Sequence, residues 1–404
     1  MMSLVVSSYK VFIMKKALFN ANLVLFDRIM YNAGIEITDG IISKIFSDCD
    51  YDENCHAIDC EGNYLSPGFI DIHVHGGGGS DFCDGTEDAV EKAIRTHAEY
   101  GTTSFLPTTL SLAQNQLITS LQMIEKVQKK RTVGNPRIFG SHMEGNFFSL
   151  QMKGAQDTKY FFPPTKENYM PLLSCVDNIK MISCAPELEN GLEFAREMVK
   201  KGIIMSVAHS DATYEEYIRA IECGYNHVTH IYNGNSLIHD FKYYCKIGIC
   251  EAALMFGNVF VEVIADGKHL PKELLRMIYQ VKGADMMNLC TDAMGAVGMP
   301  EGTIFRLGEL EAIVEDGVAS LLDRSTFASS VCTSNRAVRT MYKDAGIPLY
   351  DAVKMMTATP ARILGEFGDI GSITVGKVAD INVFDEELNI KYTLIDGEEY
   401  NNNF

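Results

Sequence analysis

Two histidines stand two apart in the run Pro67-Gly68-Phe69-Ile70-Asp71-Ile72-His73-Val74-His75-Gly76. Residues 69–74 read as a short apolar strand, and side chains on a strand alternate with period two, so His73 and His75 share a face. The glycines 76–79 follow at once and leave room for a ligand to approach the backbone. Four further residues of metal-binding type close short apolar runs: Glu144 in His142-Met143-Glu144, His209 in Ala208-His209-Ser210, His230 in Thr229-His230, and Asp292 in Thr291-Asp292-Ala293. Four imidazoles and two carboxylates make a donor set of borderline hardness that suits Zn2+ or Fe2+. Such an ion polarises a carbonyl and makes hydroxide available near neutral pH, so an amide or ester is the natural target. Taken singly, His209 or His230 reads as a satisfied core group, Asp292 as a cap and Glu144 as an ion-pair partner. Their recurrence at one end of several strands favours the chemical reading. His97, in mid-helix, and His56, in the small terminal unit, stand outside it.

The elements that must position these residues are legible as a pattern. Strand ends are expected at His73/His75, Pro107-Thr108-Thr109, Glu144, Ala185-Pro186-Glu187, His209, His230, Ala265-Asp266-Gly267 and Asp292. Helical periodicity lies between them, as over 86–100, 188–201 and 214–223. Eight alternating units predict an α/β chain with a (β/α)8 TIM barrel, whose active sites gather at the C-terminal ends of the strands. Short alternating runs over 16–65 and again after Gly371 predict a small β-sandwich domain built from both termini. The expected division is 1–66 and 369–404 for the β domain and 67–368 for the barrel.

Composition narrows the function classes. The chain has 404 residues, 47% hydrophobic and 22% charged, which fits a globular protein. A net charge of −18 disfavours nucleic-acid binding, which needs a basic surface. No apolar run approaches a membrane span, and residues 11–14 are too short for a signal-peptide core. The 11 cysteines are scattered without paired zinc-type spacing and read as buried hydrophobes of a cytoplasmic protein.

The chain resembles the N-acetylglucosamine-6-phosphate deacetylase family of the amidohydrolase superfamily. The likeness rests on the His73-Val74-His75 run and on His142-Met143-Glu144-Gly145, Lys153-Gly154-Ala155, Ala208-His209-Ser210-Asp211-Ala212, Thr229-His230-Ile231-Tyr232-Asn233, Asp266-Gly267-Lys268-His269, Thr291-Asp292-Ala293-Met294 and Gly371-Ser372-Ile373-Thr374-Val375-Gly376-Lys377. It implies hydrolysis of an N-acetyl amino-sugar phosphate to the amine and acetate. It implies one or two metals per subunit: Glu144, His209 and His230 hold the main metal, His73 and His75 help hold a second where there is one, since some members of the family lack this pair and work with one metal, and Asp292 is the general acid/base. By the same resemblance Asn233, Gly234 and His269 contact the sugar phosphate, Ala155 and Gln156 line the acetyl end, Phe327, Ala328 and Ser329 close the far side, and the chain forms a homodimer.

Three departures from the family pattern matter. Gln156 replaces a histidine, so it can donate a hydrogen bond but carry no charge. Asn146 replaces a proline. After Asn233 the usual arginine stretch is missing, and the chain reads His239-Asp240-Phe241-Lys242-Tyr243-Tyr244-Cys245-Lys246, where Lys242 offers phosphate a point charge without a bidentate fork. The altered loop keeps open a deacetylase of N-acetylgalactosamine-6-phosphate or of an unphosphorylated sugar. A non-catalytic binding protein on the same fold would be expected to have lost Glu144, His209, His230 or Asp292. A cyclic-amide hydrolase would place a lysine where Glu144 stands.

Overall fold

The computed structural model describes residues 15–307 and 310–404. Residues 11–14, and with them the start of the expected 1–66 segment, lie outside the described residues. The alternating runs at the two ends of the chain assemble one sheet of eight strands. Its order is Glu398–Asn402, Ile390–Ile395, Ile381–Phe384, Tyr64–Pro67, Lys15–Val24, Ile29–Thr38 and Ile41–Ser47, with His56–Asp59 also paired to Lys15–Val24. At its centre the two parts meet, Pro67 opposite Ile381 and Tyr64 opposite Phe384, antiparallel. Leu18, Ile35, Leu65, Ile381, Val383 and Leu394 form its buried apolar core. The first of the alternating runs expected over 16–65 falls in one long strand, Lys15–Val24. Its register is irregular between Leu18 and Ala21, where Asn20 takes a left-handed φ of 53°, and that bulge breaks the period-two pattern.

The long middle part is built of parallel strands and helices. Phe69–Val74, Thr102–Pro107 and Arg137–Ile138 pair in parallel. Ser141–Glu144, Ile179–Ser183, Ile204–Val207, Tyr225–Val228, Phe260–Ile264 and Met287–Cys290 form a second parallel series. A parallel bridge between Thr108 and His142 links the two series. On the other side the Asp292 amide donates to His73 O at 2.9 Å and the His75 amide to Ala293 O at 2.8 Å. Phe69–Val74 and Met287–Cys290 are buried at every position, as strands covered on both faces must be.

The helices follow the expected periodicity. Glu87–Ala98, Gly191–Lys200 and Tyr214–Glu222 fill the regions read as helical. Thr86 caps the first through Ala89 N, and Thr213 with Glu216 forms a capping box on the third. Gly191–Lys200 buries Phe194, Ala195 and Met198 on one face. Two antiparallel insertions were not anticipated: a hairpin of His239–Phe241 with Tyr244–Lys246, and a four-stranded meander of Ile304–Leu307, Leu310–Glu315, Val318–Leu321 and Phe327–Ser329. The result is a mixed α/β protein. Among the described residues no helix is long and apolar enough to cross a membrane.

Candidate metal and catalytic site

The site residues lie at or just beyond the C-terminal ends of the parallel strands. Glu144 ends Ser141–Glu144, and His75 directly follows Phe69–Val74. His209, His230 and Asp292 each lie two residues beyond a strand, and each has a left-handed φ, of 47°, 31° and 45°. A non-glycine residue in that region costs about 1–3 kcal/mol and persists only where the surroundings enforce it. Here the strained turn brings each side chain to the shared opening.

Two clusters result. Glu144, His209 and His230 present ligand atoms within 4.8 Å of one another, and so do His73, His75 and Asp292. His230 Nε2 is 3.0 Å and His209 Nε2 3.6 Å from Glu144 Oε1. His75 Nε2 is 3.1 Å and His73 Nε2 3.4 Å from Asp292 Oδ1. Glu144 joins the clusters, its Oε2 lying 3.5 Å from His75 Nε2. All six residues are buried.

The donor geometry fits a divalent cation. His73 Nδ1 is 2.7 Å from Glu262 Oε1, which places that ring's proton on Nδ1. His73 Nε2 then points a lone pair at His75 Nε2, 3.2 Å away, and at Asp292. Converging lone pairs and carboxylates repel unless a cation sits among them, either a proton or a metal ion. The titration directions express the same demand. Burial works against a charged His73, but Glu262, Asp292 and Glu144 outweigh it and raise its pKa. Burial likewise opposes ionisation of Glu144 and Asp292, and the surrounding histidines more than reverse it, holding both carboxyls low.

Around the clusters lies a cavity of about 250 Å³. Its lining includes His75, Glu144, His209, His230 and Asp292, and also Ala155, Gln156, Asn233, Gly234, His269, Phe327, Ala328 and Ser329. His73 lies beneath the lining. Lys242 is not among the lining residues; it sits exposed at the turn of the 239–246 hairpin. Among the described residues no lysine or arginine lines the cavity. Gln156 is held in place by the Ser111 amide, which donates to its Oε1 at 2.9 Å, and directs its own Nε2 at Glu144 Oε2, 3.1 Å away. His269 Nδ1 is 2.8 Å from Asp266 Oδ2, its ring centroid is 5.0 Å from that of Phe327, and the residue lines the cavity. Ser329 returns from the meander to donate to the backbone oxygen of Asp292.

His209 shows why two glycines stand in the motifs. Its Nδ1 donates to Met152 O at 2.7 Å, and its ring lies against Phe148. A Cβ on Gly154 would meet the ring at 3.0 Å, and one on Gly234 at 2.8 Å. Both glycines also have positive φ, of 55° and 67°, so a side chain there would be strained as well as crowded. Sequence reasoning missed Glu262, Phe148 and Met152 O, and placed Asp266 at a strand end without giving it a role. Glu262 left a signal, a single charge inside the apolar run Phe-Val-Glu-Val-Ile, since carboxylates are rarely buried without a partner. Met152 acts through its backbone and leaves none.

Fold and site together define a hydrolase class, and the chain belongs to the amidohydrolase family, whose model matches residues 64–400. Within that class it is 33% identical to the N-acetylglucosamine-6-phosphate deacetylase of Vibrio furnissii over 82% of each chain. It is 30% identical to the N-acetylgalactosamine-6-phosphate deacetylase of Escherichia coli O157:H7 over 83% of this chain and 87% of the relative. The crystal structure of N-acetylglucosamine-6-phosphate deacetylase from Pasteurella multocida matches it with a TM-score of 0.90 and 29% identity, over 96% of this chain and 100% of that one.

Proposed function

We propose that this chain hydrolyses N-acetylglucosamine-6-phosphate to glucosamine-6-phosphate and acetate. The observation that carries the reading is the position of Asp292, on the cavity and 3.1 Å from His75 Nε2, beside the Glu144–His209–His230 cluster. Glu144, His209 and His230 would hold one divalent ion, Zn2+ or Fe2+, and His73 and His75 with Asp292 a second. When bound, such an ion supplies Lewis acidity to the acetyl carbonyl and acidity to water. Asp292, ionised in the free site, accepts the proton of the attacking water. It then returns a proton to the sugar nitrogen, a poor leaving group until protonated, as the C–N bond breaks. His269, held by Asp266, donates to the phosphate together with the amide of Gly234, while the Asn233 amide donates to His230 O at 2.9 Å and Asn233 lines the cavity beside them. Ala155 and Gln156 sit at the acetyl end, and Phe327, Ala328 and Ser329 bound the sugar.

We also read the parallel strands as a closed (β/α)8 barrel over 67–368, with 15–66 and 369–404 as a β-sandwich domain, and the protein as a cytoplasmic homodimer. A second substrate reading has two forms: the unphosphorylated sugar, favoured by the absence of lysine and arginine from the cavity lining among the described residues, and the galactosamine epimer, favoured by the 30% identity to an N-acetylgalactosamine-6-phosphate deacetylase.

The test is acetate release by zinc- or iron-loaded protein from the three sugars, beside Asp292→Asn. Release from N-acetylglucosamine-6-phosphate is expected to exceed the others, and Asp292→Asn to lower kcat at least about 100-fold. Equal or faster release from another sugar would move the substrate assignment; full activity in Asp292→Asn would remove the mechanism.

A further inference from the structure

Glu262 sits in the middle of Phe260–Ile264, fully buried and outside the cavity lining. Its Oε1 takes two donors: His73 Nδ1 at 2.7 Å and the backbone amide of His230 at 3.2 Å. Its Oε2 faces Asn288 Nδ2 at 3.5 Å, and the Asn288 carbonyl is held by His227 Nε2 at 3.0 Å. One buried carboxylate therefore reaches both metal-capable clusters from below, through a side chain of one and the backbone of the other.

Burying a carboxylate in an apolar strand is costly unless it is paired and hydrogen-bonded, and an aliphatic side chain would fill the space more stably. The charge is therefore to be explained by what it does to its partner. A neutral imidazole has one N–H, and an acceptor 2.7 Å from Nδ1 keeps it there. The carboxylate also stops the ring from turning and makes Nε2 a stronger donor to a metal. We infer that Glu262 is a positioning residue: it fixes the tautomer and orientation of His73 and so sets the metal affinity of the His73–His75–Asp292 position. This rests on the reading above that this position takes a metal ion.

The test compares wild type, Glu262→Gln, Glu262→Asp and His73→Asn as metal-free proteins titrated with Co2+. Stoichiometry and the visible d–d bands are followed, with the melting temperature of each metal-free protein alongside. Glutamine keeps the volume and an acceptor but not the charge; aspartate keeps the charge but not the reach. In wild type two equivalents are expected to bind. In Glu262→Gln the equivalent that His73→Asn removes should weaken about 10- to 100-fold, with altered bands. The other equivalent should hold within about threefold and the melting temperature of the metal-free protein should change little. Glu262→Asp should weaken the same equivalent and no other.

Unchanged affinity in both Glu262 variants would overturn the inference. So would equal weakening of both equivalents together with a fall in melting temperature, which marks a structural role. A wild type that binds a single equivalent insensitive to His73→Asn would also overturn it. Failure of the proposed function looks different: wild type binds cobalt in two steps, Glu262→Gln weakens one, and no acetate is released from any of the three sugars.

Discussion

At the scale of single residues, the site depends on groups that never touch substrate. Asp266 is one: it accepts from His269 Nδ1 and from the amides of Lys268 and His269. Burial pushes its carboxyl up, but these hydrogen bonds and the nearby imidazole win and hold it below 3.8. An unfolded chain therefore binds this proton more readily than the folded one. The contribution to stability is complete above the ordinary value of 3.8 and lost as pH falls through the lower folded value. Asp266→Asn should show a shallower loss of stability than wild type in urea unfolding at pH 5 and at about pH 3. It should also raise KM for the phosphorylated sugar with a smaller change in kcat, because its action is to hold the His269 ring. A raised kcat effect with an unmoved KM would contradict that role. Residues that supply a side chain to the opening, such as His75, Glu144 or Asp292, were readable because chemistry restricts their type. Asp266 stood in a recognised strand-end motif, yet its task is to orient a neighbour, and orientation has no one-dimensional signature.

At the scale of elements, the parallel strands deliver the site and a cross-sheet staple ties them to the terminal strands. Arg137, at the start of Arg137–Ile138, reaches Asp380 at 2.6 Å and Asp396 at 2.5 Å. These side chains are mostly buried, 16%, 5% and 16% exposed. Burial pushes Asp380 up and outweighs the Arg137 charge beside it, so the pair is poised close to the limit of what the guanidinium compensates. Arg137→Met would leave the buried Asp380 without its guanidinium, while Asp396 keeps Arg131. It should destabilise the protein by about 3 kcal/mol at neutral pH, and less at acidic pH, because burial already raises the Asp380 carboxyl and loss of the guanidinium raises it further. Urea denaturation at both pH values reads this directly. Elements with strong periodicity were legible, and helix Gly191–Lys200 fell inside the region expected for it. The 304–329 meander was not, because its strands are short and broken by turn residues. That matters, since its last strand, Phe327–Ser329, lines the cavity and pins the backbone of Asp292.

At the scale of the molecule, a net charge of −18 surrounds a site proposed for an anionic sugar phosphate. Long-range repulsion then slows productive encounter and is screened by salt. Raising ionic strength from about 0.01 M to about 0.15 M shortens the Debye length from about 30 Å to about 8 Å. KM for the phosphorylated sugar is expected to fall about twofold while that for the plain sugar stays level. A rise in the first would mean that local positive charge governs capture. The mixed α/β character was legible because both patterns, alternation at the ends and strand–helix repetition between, are properties of long stretches. The seam between the ends was not, since pairing partners cannot be read from either partner alone. That seam also has a meaning in time. Tyr64–Pro67 waits for Ile381–Phe384 to complete its pairing, and at roughly 5–20 residues per second a ribosome takes tens of seconds to supply it. Through that interval the nascent chain carries an open strand edge, so slowing translation within the middle segment should lengthen the window in which the newborn chain is captured by holding chaperones or lost to aggregation.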